Sequence, residues 1–189
     1  MSTSHAHLTR LVLTIAAVGA VSVALTGTAT AHAPGAPEPS THFYSDLYRR
    51  VLAPVELPGF YTIACPALEA SRGRWEMREH LLAKDSADAA TSAVTRFASI
   101  SGASQQLDRD LARARRSAGF AAFSVAGIPG ARGYSRAIGS TTSRLSVEFA
   151  GGPYLYLAAV DVSPRAARAI RARLLASMLH LYRRVQRLA

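Results

Sequence analysis

The sequence predicts an α+β domain: an antiparallel sheet of about five strands packed against helices, with a long amphipathic C-terminal helix. Three observations predict it. Apolar and polar residues alternate in short runs between Arg74 and Val162, the period-two pattern of strands with one buried face. From Phe120 to Val162 those runs are joined by turns rather than helices, which makes a meander and not a series of parallel crossovers. After Ser163 the apolar period changes to three and four, the mark of a helix.

The chain reads as a leader, a tether and one domain. Residues 1–31 have the form of a signal peptide. Arg10 is the only charge before the apolar run Leu11 to Leu25, which is shorter than the ~20 residues a bilayer span needs. Two A-x-A sites follow, Ala29-Thr30-Ala31 and Ala31-His32-Ala33. Cleavage after Ala31 is favoured, because the later site would put Pro34 beside the cut bond. Without a twin arginine or a nearby cysteine, a Sec-type route to the medium or cell wall is expected, with an uncleaved N-terminal anchor as the alternative. Residues 32–40 (HAPGAPEPS) are proline-rich and read as an extended tether. Residues 41–189 form the single α+β domain.

Within the domain, Thr41 is a plausible N-cap for a helix to about Leu52, with Phe43, Tyr44, Leu47, Tyr48 and Val51 on one face, ended by Pro54 and Pro58. Phe60–Ala64 reads as a short strand and Pro66–Ser71 as a single helical turn. Arg74–Lys84 is a strand with Trp75, Met77, Leu81 and Ala83 on one side and Glu76, Arg78, His80 and Lys84 on the other. Glu79 interrupts the apolar side and marks an edge or a wet end. Asp85 or Ser86 then caps a predicted helix to about Ser101, where Ala87, Ala90, Val94, Phe97 and Ala98 recur at helical spacing and Gly102 is the stop. A second helix runs from Ser104 to about Ala118, with Leu107, Leu111 and Ala114 inside and Arg109, Arg113 and Arg116 outside.

Four strands follow: Phe120–Ala126, Gly133–Ser140, Arg144–Ala150 and Tyr154–Val162. Pro129-Gly130 suits the centre of a type II turn. A two-residue turn at Gly151-Gly152 would set Phe149 opposite Tyr154, Val147 opposite Tyr156 and Leu145 opposite Ala158, on the face expected to be the main core. Glu148, Ser146 and Arg144 share the other face with Leu155, Leu157 and Ala159. Ser163-Pro164 begins the last helix, whose stripe is Ala167, Ile170, Leu174, Met178, Leu181, Val185 and Leu188. Its last turns, carrying Arg183, Arg184 and Arg187, should overrun the sheet or reach the N-terminal helix.

Several segments carry a resemblance: Ile128-Pro129-Gly130-Ala131-Arg132-Gly133-Tyr134, Gly151-Gly152-Pro153-Tyr154-Leu155-Tyr156-Leu157 and Leu181-Tyr182-Arg183-Arg184-Val185. In these the chain resembles a group of uncharacterised exported actinobacterial proteins, over roughly the stretch from Trp75 onward. The resemblance implies export and fold, and no activity. The order strand, helix, meander, long helix is similar to the PsbP/Mog1-like sandwich, which implies binding or assembly by fold analogy alone.

Composition narrows the function classes. A formal charge of +10, one cysteine and 49% hydrophobic residues exclude collagen-like, disordered, disulfide-framework and polytopic membrane chains. Cys65, the only thiol, can form no intrachain disulfide; a buried apolar role is expected, and an interchain bond stays open. Arginine supplies 21 of the 22 basic residues, which reads as genomic base composition rather than selection for guanidinium chemistry. No G-x-S-x-G, H-E-x-x-H, phosphate-binding glycine loop or paired cysteines occur, so no catalytic residue, cofactor or metal is assigned.

Glu148 is the best acid/base candidate, since burial on a half-apolar face would raise its pKa, and His80 and Glu79 would be its partners across the sheet. A surface glutamate paired with Arg144 or Arg136 accounts for the same residue. The candidate binding residues are Arg132, at the end of a glycine-rich loop, and Arg183, Arg184 and Arg187. The expected function is therefore a non-catalytic exported binding domain for an anionic or apolar envelope partner, such as an anionic envelope polymer, lipid headgroups or an acidic protein, with no specific nucleic acid. A small secreted enzyme using Glu148, and a carrier of apolar ligands, are the alternatives.

Overall fold

The computed structural model describes residues 40–62, 66–71, 74–83 and 89–188. The leader, nearly all of the tether, Cys65 and the expected caps Asp85 and Ser86 lie outside the described residues. In chain order the elements are α1 (Thr41–Tyr48), a 3-10 turn (Pro54–Glu56), β1 (Phe60–Thr62), β2 (Ala67–Ser71), β3 (Arg74–Ala83) and β4 (Ala89–Arg96). There follow α2 (Ile100–Arg115), β5 (Ala121–Phe123), β6 (Arg132–Ala137), β7 (Ser143–Gly151), β8 (Tyr154–Val162) and α3 (Ala167–Gln186). The class is α+β, and the sheet has eight strands where about five were expected.

The sheet is antiparallel throughout, in the order β1-β3-β4-β8-β7-β6-β5. Both β1 and β2 pair with β3, β1 opposite Leu81–Ala83 and β2 opposite Arg74–Arg78, so the two short strands succeed one another along one edge.

Two expected helical segments are strands. Pro66–Ser71 contains β2 instead of a helical turn. The helix expected to Ser101 is replaced by β4, which pairs with β3 on one side and β8 on the other. Ala90, Val94 and Phe97 do recur at helical spacing, but Ala90, Ser92 and Val94 also alternate. Small side chains let the backbone lie buried under layers on both faces. The helical start therefore moves to Ser99, whose hydroxyl accepts from the Gly102 amide at 3.1 Å, so Gly102 opens α2 rather than stopping a helix. In the same way Ser40, not Thr41, caps α1. The last helix begins at Ala167, after a turn closed by Ala166 N–H to the Ser163 carbonyl at 3.1 Å, and Ser163 caps nothing.

The β7–β8 hairpin shows a register correction with a clear cause. Phe149 stands opposite Tyr156, Val147 opposite Ala158 and Leu145 opposite Val160. The turn is Gly152-Pro153 rather than Gly151-Gly152. A Gly151-Gly152 turn would force Pro153, which has no N–H, into the ladder. Gly152 at φ +57 instead supplies the positive φ such a turn needs. Pairing shifts by two, so every side chain keeps its expected face. At Pro129-Gly130 the expected turn forms, with Gly130 at φ +72 and Ala131 N–H on the Ile128 carbonyl at 3.2 Å.

One sheet face is the main core. Met77, Leu81, Val94, Val147, Phe149, Tyr156 and Val160 bury there against Leu47 and Val51 from the N-terminal segment and Leu174, Met178, Leu181 and Val185 of α3. Phe149 stacks on Tyr156 at 4.6 Å and meets Tyr182 edge-on at 5.5 Å. Glu79 lies on this face, buried and accepting from Thr62 Oγ1 at 2.7 Å, so the expected wet end is closed by β1. The opposite face carries α2 over β6, β7 and β8. Among the described residues, no helix is long and apolar enough to cross a membrane.

Candidate functional site

The α2-covered face is where polar residues converge. Cross-strand partners share a face, so Arg132, Tyr134 and Arg136 of β6 lie beside Glu148, Ser146 and Arg144 of β7. On α2, Ala103, Leu107 and Ala114 are buried, while Gln106, Asp110, Arg113 and Ser117 recur at four- and three-residue steps as a polar stripe. Because that stripe cannot pack tightly onto the polar strand face, a cavity of about 370 Å³ remains between them. Its walls include Arg74, Arg78, Arg113, Arg136 and Arg144, together with Glu76, Asp110 and Glu148.

Most of these charges are already paired. Arg144 donates from Nε and Nη2 to the two carboxylate oxygens of Asp161, both at 2.6 Å. Those hydrogen bonds hold the Arg144 pKa above its ordinary value. Arg113 meets Asp110 at 3.2 Å, Arg78 meets Glu76, and Arg74 donates to Gln106 Oε1 at 3.4 Å. Arg136 has no carboxylate partner among the described residues. In the register it stands directly opposite Arg144.

Glu148 is 4% exposed. Its Oε1 accepts from the Tyr134 hydroxyl at 2.5 Å, and its Oε2 is buried without a hydrogen-bond partner. Burial pushes its carboxyl up to about 7; the Tyr134 hydrogen bond and the Arg113 charge work against that, and Asp110 adds to it. Burial and the neighbouring carboxyl also push the Tyr134 hydroxyl up. The expected pairing of Glu148 with Arg144 or Arg136 does not occur, because Asp161 lies opposite Arg144 and takes it. Glu79 faces the other side of the sheet, and neither it nor His80 lines the cavity.

The candidate binding residues are not brought together. Arg132 lies on the α2 face, with Nη1 donating to the Gly130 carbonyl at 3.0 Å. Of the C-terminal arginines, Arg183 and Arg184 belong to α3 on the opposite face and Arg187 is its C-cap. Arg184 is committed there, donating to the Val51 carbonyl at 2.6 Å and pairing with Glu56 at 3.1 Å, while Arg183 and Arg187 are exposed. His180 also reaches Glu56, at 3.3 Å.

Sequence reading missed the Arg136–Arg144 opposition and the roles of Gln106 and Asp110. The polar stripe on α2 was the available signal. It was hidden by reading Arg109, Arg113 and Arg116 as an outward row. Among the described residues, no three His, Cys, Asp or Glu side chains gather as a metal site requires. No family model matches the chain, and no curated protein matches it.

Proposed function

We propose that this is a non-catalytic binding domain of an exported protein, and that its ligand is a small oxyanion seated between α2 and the sheet. The observation that carries this reading is the opposition of Arg136 and Arg144 at the cavity wall. Asp161 neutralises Arg144, which leaves Arg136 as the uncompensated charge of the opposed pair, and an oxyanion beside it supplies the missing charge-assisted hydrogen bonds. A volume of about 370 Å³ suits a metabolite-sized ligand, or the terminal group of a larger one.

Binding is favoured over catalysis by the state of Glu148. A general acid or base must reach the substrate proton, and here one carboxyl oxygen is taken by Tyr134 while the other is buried. An apolar ligand is disfavoured by walls bearing five arginines, since it would strip them of water without replacing the hydrogen bonds. The test is a thermal-shift and calorimetric series with sulfate, phosphate and succinate. Saturable stabilisation of the native protein, lost in Arg136→Gln, is expected; equal stabilisation of Arg136→Gln overturns the reading.

A separate surface supports a second reading, contact with an extended polyanion such as anionic lipid headgroups or a phosphate-bearing wall polymer. The outer side of α3 exposes Arg168, Arg171, Arg183 and Arg187, and the helix contains no acidic residue. Co-sedimentation with anionic liposomes and envelope fragments across a salt series tests it. Binding that fades steeply with salt and is lost in an Arg183→Gln, Arg187→Gln double variant supports it; no sedimentation at low salt ends it.

A further inference from the structure

The charge balance of the α2 cavity turns on one carboxyl. Among its lining cations, Arg144 is held by Asp161, Arg113 by Asp110 and Arg78 by Glu76. Arg74 and Arg136 have no carboxylate partner among the described residues. Of the lining acids, Glu76 and Asp110 are neutralised in those pairs. Glu148 alone meets no cation, holding only the Tyr134 hydroxyl on Oε1 and nothing on Oε2. Arg132, directly opposite Glu148 in the register, turns its guanidinium to the Gly130 carbonyl instead.

We infer that the cavity takes up its oxyanion together with a proton held on Glu148. The inference rests on the anion-site reading above and adds to it a linked proton. With Glu148 neutral, the cations of the cavity outnumber the ionised carboxylates facing them, and an anion is drawn in. With Glu148 ionised, its charge reduces that excess and adds a second negative charge beside the ligand in a partly water-excluded space. Retaining one proton is the cheaper arrangement.

The surroundings of Glu148 decide whether the proton is at hand near neutrality. From β6 it is faced by Tyr134 and Arg136, and from β7 by Arg144 and Ser146. From β8 its register partner is the uncharged Leu157. From α2 come Asp110 and Arg113, and across the cavity from β3 stand Arg74, Glu76 and Arg78. Burial is the largest influence and favours the neutral acid, with a midpoint of about 7. By linkage, a bound anion raises that midpoint further, and the affinity for the anion must fall as the proton is lost.

The experiment is calorimetric titration of sulfate, whose charge is constant across the range, into the full-length protein at about pH 6, about pH 7 and about pH 8.5. Each titration is run in two buffers of different ionisation enthalpy. The expected result is net proton uptake per sulfate near neutrality and an affinity roughly three- to tenfold weaker at the highest pH than at the lowest. Glu148→Gln should bind sulfate with no proton uptake and a flat pH profile, which also separates Glu148 from the histidines. Wild-type binding without proton uptake, or an unchanged pH profile in Glu148→Gln, overturns the inference while leaving the anion site standing. Absence of sulfate binding at every pH, or equal binding by Arg136→Gln, overturns both. If Glu148→Gln does not fold, the proton count of a variant whose histidines are replaced by Gln decides: uptake that persists supports the inference, and its loss overturns it.

Discussion

Asp46 and Glu148 each accept a hydrogen bond from a tyrosine hydroxyl, yet their carboxyls are driven in opposite directions. Asp46, on α1 at the core side of the sheet, receives Tyr154 Oη at 2.9 Å and Arg50 Nε at 3.0 Å. Burial pushes its carboxyl up, but the hydrogen bonds from Arg50 and Tyr154 together outweigh that and hold it below the ordinary range. Arg50 is itself fully used: it lies 4.2 Å over the Tyr154 ring and donates to the Tyr156 hydroxyl at 3.2 Å. Glu148, on the α2 side, has the tyrosine without the arginine, and burial wins. The Asp46–Arg50–Tyr154 cluster closes its polar circuit, although on the same side of the sheet Arg184 Nε is buried without a hydrogen-bond partner. The α2 side leaves Glu148 and Arg136 without ion-pair partners among the described residues, which the anion-site reading requires and a structural ion pair does not.

The largest effect that sharpens this comparison comes from truncating one large side chain on each side. Phe149→Ala, in a fully buried stack, should cost about 3–5 kcal/mol. Leu107→Ala, on the buried side of α2, should cost roughly 2–3 kcal/mol, because the side chain is smaller and less completely buried. Denaturant unfolding of both variants checks this, and equal losses would mean that the two sides pack alike.

Next in size is a crossed pH dependence. The folded-state pKa of Glu148 is raised from 4.5 to about 7, so its contribution is full below about pH 4.5 and lost as pH climbs through about 7. Glu148→Gln should therefore be more stable than the wild type at about pH 8.5, by on the order of 3 kcal/mol, and close to it at about pH 4.5. Asp46 has the opposite sign. Its depressed pKa stabilises the fold above the usual carboxylate range and ceases to do so as pH falls through the folded-state value. Asp46→Asn should cost about 1 kcal/mol near neutrality after solvent screening, and progressively less in acid. Unfolding curves across pH that run parallel for the two variants would break the comparison.

The smallest effects separate the C-terminal arginines. Arg184→Ala removes the contacts to Val51 and Glu56 and should cost roughly 1–2 kcal/mol. Arg183→Ala and Arg187→Ala, exposed on α3, should each change stability by less than about 0.5 kcal/mol in the same unfolding assay.

Legibility followed how local each signal was. Strand β8 is predicted from end to end, and Arg74–Lys84 nearly so, because alternation is written into consecutive residues. The core face of Leu145, Val147, Phe149, Tyr154, Tyr156 and Ala158 was legible even though their register was not, since a shift of two preserves the faces. Strand β4 was illegible for the converse reason. Its small residues satisfy a helical and an alternating pattern equally, and the choice was made by pairing with β8, which is distant in sequence. Glu148 is legible in the sequence as a mid-strand carboxylate on a half-apolar face. Its partner did not, because nothing local says that Asp161 will claim Arg144 and leave Arg136 unpaired.

By itself, then, the sequence determined the α+β class, the paired faces of the meander and the apolar stripe of α3, all consequences of periodicity along one stretch of chain. Tertiary structure alone decided that α2 covers the second face, that Arg132 is parted from Arg183, Arg184 and Arg187 by the sheet, and that Arg136 and Glu148 remain open in one cavity. Those outcomes depend on which distant strands become neighbours, and electrostatic pairing acts only between groups that folding has already brought within a few ångströms.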